Sequence, residues 1–251
     1  NSILEKNPYC EVAWHQLGKI YLKKGNHKEA ISAFDFAIIS DDSFTGAYIE
    51  KGKILETIGK LNSAIENYHI ANEINDPSAF VYHRIASCHK ALGNKDLSLL
   101  YFKKTILIEP NFEKGWTEII EFYCQNSDYT NALHYSKKAI ESNGDNPFFS
   151  NKAGELLMKK GDFSDAIFYF ETSINLGYVE IDVWTDLLDC LIKLYRFNQA
   201  KNIIYRALRI FKNSPFIIFR LGIIEIKLGN SNIALKHLKS IDPKVLNKLL
   251  K

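Results

Sequence analysis

Methionine is almost missing from this 251-residue chain: Met158 is the only one, and the first residue is Asn1. That start reads as a fragment or a processed product. Cysteine and proline are scarce, at 4 and 6 residues. Cys10, Cys88, Cys124 and Cys190 are scattered with no Cys-x-x-Cys pair, which argues against a disulfide framework and for single thiols in a reducing compartment. A cytoplasmic location is the expectation. No apolar run approaches the roughly 18 residues that span a bilayer. Charge of one sign is also lacking, since 32 basic and 29 acidic residues leave a net of +3. Such a balance argues against a disordered acidic or basic tail and against a domain-wide field for nucleic acid. Phosphate-cradling glycine loops, a Gly-x-Ser-x-Gly elbow and a His-Glu-x-x-His helix are all missing. No catalysis, cofactor or metal is therefore expected of this segment.

What the sequence does have is a period. Trp14, Tyr48, Tyr82, Trp116, Ser150, Trp184 and Ile218 stand 34 residues apart without a slip. Eight residues into each unit come Gly18, Gly52, Ala86, Ile120, Gly154, Leu188 and Gly222, mostly small. The twentieth position reads Ala30, Ala64, Ser98, Ala132, Ala166, Ala200 and Ala234. Small residues there let two helices approach, with Phe34, Tyr68, Phe102 and Phe170 filling the space beside them. Trp14, Leu17, Gly18 and Tyr21 fall on one helical face, and Ala30, Ile31, Phe34, Ala37 and Ile38 on another. Gly25, Gly59, Gly93, Gly161 and Gly229 separate the two faces, each suited to a helix end. Pro8, Pro77, Pro110, Pro147 and Pro215 lie at the unit junctions, where a missing N–H does least harm. The spacing predicts paired helices and no β-strand.

Trp14, Leu17, Gly18, Tyr21, Ala30, Phe34 and Ala37 resemble the signature of the tetratricopeptide repeat family. The resemblance predicts units at 11–44, 45–78, 79–112, 113–146, 147–180, 181–214 and 215–241. Residues 1–10 would be the tail of a preceding repeat, and 242–251 a capping segment or the start of a further repeat. It implies an all-α, right-handed superhelical solenoid of seven repeats, with first helices lining the concave face. Four departures stand out. Lys51 replaces a usual leucine, Glu225 replaces an aromatic, and Ile120 and Leu188 replace the small eighth residue.

Groove-facing positions carry the candidate partner contacts. The sixth position runs Glu50, Arg84, Glu118, Lys152, Asp186 and Arg220 with strictly alternating sign, which predicts a ladder pairing Glu118 with Arg84 and Lys152. The ninth position instead goes from basic to acidic: Lys19, Lys53, Ser87, Glu121, Glu155, Asp189. Like charges on neighbouring helices do not stabilise a fold, so this stripe is the better candidate for a partner. It should set Lys or Arg of a bound segment against Glu121, Glu155 and Asp189. Phe80 and Phe148, with His83 and Asn151, complete the predicted concave site. His83, Cys88 and His89 do not share a helix face, so they read as packed side chains rather than zinc ligands. Asp186 and Asp189 could mimic an acid–base pair, but solvated helix-face charge is the better reading. The clamp with which relatives hold chaperone tails would need Lys, Asn, Asn, Lys and Arg. Units one to three offer His15, Lys19, Glu50, Phe80 and Arg84, so it is absent. The groove-asparagine ladder of glycosyltransferase-type relatives also fails, because Asn151 stands alone. The predicted function is a non-catalytic protein–protein interaction scaffold binding a peptide or protein segment. The alternative is a structural or oligomerising array in a larger assembly. Nucleic-acid binding through the basic stretch 193–212 is a weaker third, and no membrane span is expected.

Overall fold

The computed structural model describes residues 4–5 and 7–250. Among the described residues there are fifteen helices from Glu11 onward and no strand. They follow one another in pairs: α1 (Glu11–Lys23) and α2 (His27–Ser40), α3 (Thr45–Thr57) and α4 (Leu61–Ile74), α5 (Ala79–Ala91) and α6 (Lys95–Ile108). Next come α7 (Glu113–Gln125) and α8 (Tyr129–Ser142), α9 (Pro147–Lys160) and α10 (Phe163–Asn175), α11 (Ile181–Lys193) and α12 (Phe197–Ile210). The last pair is α13 (Pro215–Lys227) and α14 (Ser231–Lys239). A short α15 (Pro243–Leu249) packs on α13. The chain forms two compact units that divide after Phe122. Of the predicted tail of a preceding repeat, Leu4 and Glu5 are helical; residues 1–3 and 6 lie outside the described residues.

Helix punctuation follows local chemistry. Proline opens α9, α13 and α15, where its missing N–H costs nothing. Ser78 and Asp128 cap α5 and α8 by accepting the backbone N–H of Val81 and Asn131. The turn inside every pair passes through one left-handed residue. In five pairs it is a glycine (Gly25, Gly59, Gly93, Gly161, Gly229), and in the other two it is Ser127 and Tyr195, each at φ 57°. Tyr195 is strained there, because a Cβ crowds the following carbonyl in this region. It is also 76% exposed, with only an edge contact to Phe197 in return. Tyr195→Gly is therefore expected to stabilise the protein by about 1 kcal/mol. A lowered midpoint in chemical denaturation would show that the ring contact outweighs the strain.

Packing inside each pair turns on the eighth and twenty-fourth positions. Gly18, Gly52 and Gly154 face the fully buried rings of Phe34, Tyr68 and Phe170, and a Cβ at any of them would stand 2.6–2.7 Å from a ring carbon. Gly222 meets Leu238 in the same way at 2.7 Å. At the large eighth residue Leu188 the position across the pair is smaller: Leu188 and Ile204 are buried in the same core cluster. This departure from a small residue is thus a change of partner size rather than a disturbance of the helices.

The first unit holds two core clusters, one around Phe34, Ala47 and Ile54 and one around Tyr68, Val81 and Ile85. A larger one in the second unit joins Leu156, Phe170, Trp184, Leu187, Leu191 and Ile217. Junctions are tied by side chains as well. Trp14 and Trp116 donate Nε1–H to the carbonyls of Pro8 and Pro110, both at 2.7 Å. Trp184 follows Tyr178 where those two follow proline, and its buried Nε1 has no acceptor among the described residues.

Candidate functional site

The first helices of the pairs carry every predicted partner residue, and each compact unit presents its own set. In the first, Lys19 is exposed on α1. Lys53 on α3 lies 2.8 Å from Glu50 and 5.2 Å from the centroid of the Phe80 ring on α5. Phe80 stays 41% exposed, so this cation–ring pair is open to solvent. His83 is half-buried against Phe102 and Phe112, at 5.5 and 5.2 Å. Burial lowers its pKa, and Glu118 opposes that. His15 is likewise lowered, first by burial and then by Lys19, and it sits between Phe34 and Phe44. Glu121 is exposed on α7.

Within the first unit the sixth-position charges Arg84 and Glu118 do not pair with each other, against the predicted ladder. Arg84 binds Glu56 and also meets the Tyr68 hydroxyl, which donates to Glu56 at 2.6 Å. Glu118 binds Lys90. Both partners belong to the twelfth position of the preceding unit, 28 residues upstream, so the side chains reach diagonally along the neighbouring helix. Lys152 meets Glu155 on its own helix at 2.8 Å, and Glu50 meets Lys53 in the same way. A signal for this existed in the sequence, because Glu56 and Lys90 complement Arg84 and Glu118. Glu118→Lys is expected to cost about 1 kcal/mol or less, since the pair is partly exposed. Lys90→Glu should recover part of that loss in a double-mutant cycle. Additive losses would show that the two side chains are not coupled.

In the second unit α9 and α11 lie side by side. Phe148 is half-buried edge-on to Phe149. Asn151 is 8% exposed; its Nδ2 donates to Glu155 at 2.8 Å, while its buried Oδ1 has no partner among the described residues. Asp189 is gripped by Arg220 of α13 in two hydrogen bonds of 2.7 and 2.5 Å. Asp186, between Asp182 and Asp189 on the same helix, has its pKa pushed up to about 6, first by burial and then by Asp189, Glu155 and Asp182. Glu155 and Asp189 thus meet around Asp186, and Glu121 belongs to the other compact unit. The sequence sets Asp186 in the alternating sixth-position series rather than in the predicted partner site.

The remaining departures from the repeat signature are paired charges. Lys51 reaches Asp35 at 2.6 Å. Glu225, with 3% of its side chain exposed, binds Lys201 at 2.7 Å and Asn230 at 2.8 Å. Its pKa is lowered by those two partners. The thiols of Cys88 and Cys190 are pushed up to about 12, mainly by burial, so both stay protonated and unreactive. Among the described residues no group of three or more His, Cys, Asp and Glu is placed to hold a metal ion, and no helix is long and apolar enough to cross a membrane.

The family model described as tetratricopeptide repeat matches residues 12–38 and 81–112. The chain contains tetratricopeptide repeats. Solved structures with similar folds include a tetratricopeptide repeat protein from Parabacteroides merdae, with a TM-score of 0.56 at 16% identity over 96% of this chain and 97% of that one. Pseudomonas aeruginosa PilF gives 0.56 at 17% identity, covering 82% and 94%. MamA gives 0.55 at 19% identity, covering 66% and 91%. Among curated proteins, anaphase-promoting complex subunit 3 of Schizosaccharomyces pombe is 21% identical over 218 residues. That match covers 84% of this chain and 33% of the yeast protein, so the chain spans about a third of the length of this relative.

Proposed function

We propose that these tetratricopeptide repeats form a non-catalytic protein–protein interaction scaffold that takes a segment of a partner along the first helices of its pairs. One observation carries the reading. The first helices keep charge and aromatic surface at least partly open to solvent, basic around Lys19, Lys53 and Phe80 and acidic around Glu155 and Asp189. Aligned charge of one sign steers a complementary chain more than it stabilises the helices that bear it. Cross-linking of the native protein to its captured partners, mapped by mass spectrometry, tests this. Cross-links should concentrate on α1, α3, α5, α9 and α11. Replacing Glu121 and Glu155 by Gln and Asp189 by Asn should slow association and flatten its salt dependence, with a stability cost of about 2 kcal/mol or less from the lost pairs with Lys152 and Arg220. Cross-links confined to the second helices would overturn it.

The second reading, an array that assembles through its outer surface, draws on Ile39, Leu107 and Phe168, which are 71%, 80% and 65% exposed on second helices. The yeast relative, by its name, is itself a subunit of a complex. Self-association that Ile39→Ser and Leu107→Ser abolish, with partner capture unchanged, would favour it.

A further inference from the structure

Between α1 and α2 lies a cavity of about 340 Å³, walled by Trp14, Leu17, Tyr21, Ala33 and Phe36. The third helix pair shows what belongs in such a place. Two repeat periods on from Trp14, Tyr21, Ala33 and Phe36 stand Tyr82, His89, Tyr101 and Lys104. There the Tyr101 ring lies 5.9 Å from the Tyr82 ring, stacks on His89 at 5.6 Å and has the Lys104 ammonium 4.8 Å from its centroid. The walls of the cavity are thus the equivalents of the groups that touch Tyr101, and what is missing is the ring itself. Pair four repeats the arrangement: Tyr135, again at this position, stacks at 5.3 Å on Tyr123, the equivalent of Tyr21. No other pair has a residue as small as Ala33 here, and three have tyrosine. The walls do not close over the gap. Trp14 and Phe36 stack on each other at 4.6 Å, and the Trp14 indole is tied to the Pro8 carbonyl. At the mouth Lys28, Glu29 and Ser32 are exposed, with no hydrogen-bond or ion-pair partner among the described residues.

We propose that this cavity is a receptor for a tyrosine side chain of a partner protein. The incoming ring takes the place that Tyr101 and Tyr135 fill from within the chain, with its hydroxyl at the mouth beside Lys28, Glu29 and Ser32. Volume is sufficient, since a dry cavity of about 150 Å³ already holds benzene. A ring is favoured over an aliphatic side chain because Trp14, Tyr21 and Phe36 offer it edges and faces, more so than His89 and Lys104 do in pair three. Tyrosine is favoured over phenylalanine because the polar mouth can answer a hydroxyl. The Tyr101 hydroxyl likewise turns to a polar group, His69 Nε2 at 3.4 Å on the preceding pair. This receptor goes beyond the charged surface of the first helices and does not depend on it.

The chain has 3 tryptophans, so isotopic labelling of tryptophan gives a short list of indole N–H resonances in the NMR spectrum of the full chain. Trp14→Phe identifies the one that matters. Titration with the capped peptide Gly-Gly-Tyr-Gly-Gly should move the Trp14 resonance, leave those of Trp116 and Trp184 in place, and reach half-saturation at about 1 mM. The same peptide with leucine for tyrosine should bind about tenfold more weakly, and with phenylalanine a few-fold more weakly. Ala33→Tyr supplies the ring from within, as pair three does, and should abolish the response to the peptide while helical content is kept. Should that variant not fold, Phe36→Ala decides: loss of this wall should weaken the tyrosine peptide several-fold, and unchanged binding would overturn the proposal. An unmoved Trp14 resonance, an equal response to the leucine peptide, or a response that survives in folded Ala33→Tyr would overturn it as well. Movement of the Trp14 resonance on raising the protein concentration alone would give the cavity to a second copy of the chain, and so would also overturn it.

Discussion

Gly154→Leu should destabilise the protein by about 3 kcal/mol, and Phe170→Ile in the same chain should return at least half of that. At Gly154 even a Cβ would stand 2.7 Å from the Phe170 ring, which is fully buried and has nowhere to retreat. Overpacking of a closed core costs about 1–3 kcal/mol, and a whole isobutyl group puts this case at the upper end. Phe170→Ile alone should also be costly, through the cavity it leaves. The double variant recreates the Leu188 and Ile204 pairing that the next helix pair already uses, where both side chains are fully buried. Two destabilising changes are thus expected to compensate one another, with a coupling of about 1.5 kcal/mol or more in denaturant titrations. Additive losses would mean that the two packings depend on other differences between α9–α10 and α11–α12.

Lys201→Met should cost about 2 kcal/mol, and Glu225→Tyr should repair most of it. Glu225 stands where the repeat signature has an aromatic residue, and its carboxylate is almost wholly enclosed by α12 and α13. Removing Lys201 leaves a buried charge with Asn230 as its remaining partner, and unpaired buried charge is among the most damaging changes a core can suffer. Lys201 itself keeps 28% of its side chain exposed, which holds the expected loss below that of a fully enclosed pair. The pH dependence has a definite sign. The folded-state pKa of Glu225 is depressed, so its contribution is complete above its ordinary value of 4.5 and is lost as pH falls below that value. The wild type should therefore lose more stability than the Lys201→Met/Glu225→Tyr variant on acidification in that range. Parallel acid profiles for the two proteins would show that the pair contributes nothing through charge.

The helix pairs were legible because their signals are local. Apolar spacing, glycine at the turn and proline at the junction act within a few residues, and they repeat every 34 residues. The two turns without glycine were not legible, since Ser127 and Tyr195 adopt φ 57° only because the helices on either side impose it. The site was legible in part. Lys53 with Phe80 and Glu155 with Asp189 follow from their positions on the first helices. Asp186 needed the structure, because its state depends on how deeply α11 is buried and on Arg220 reaching Asp189 rather than Asp186.

By itself the sequence determined that the chain is all helix, paired, and built on a 34-residue period with a segregated ninth-position charge. Tertiary structure alone decided which charges meet. The sixth-position residues Arg84 and Glu118 chose the twelfth-position residues Glu56 and Lys90, not each other. It also decided that Leu188 was tolerable and that Lys51 and Glu225 were paired. The physical reason is the same in each case. Periodicity along a helix sets which face a residue occupies, but partner choice depends on the offset and distance between two helices, which no single helix encodes.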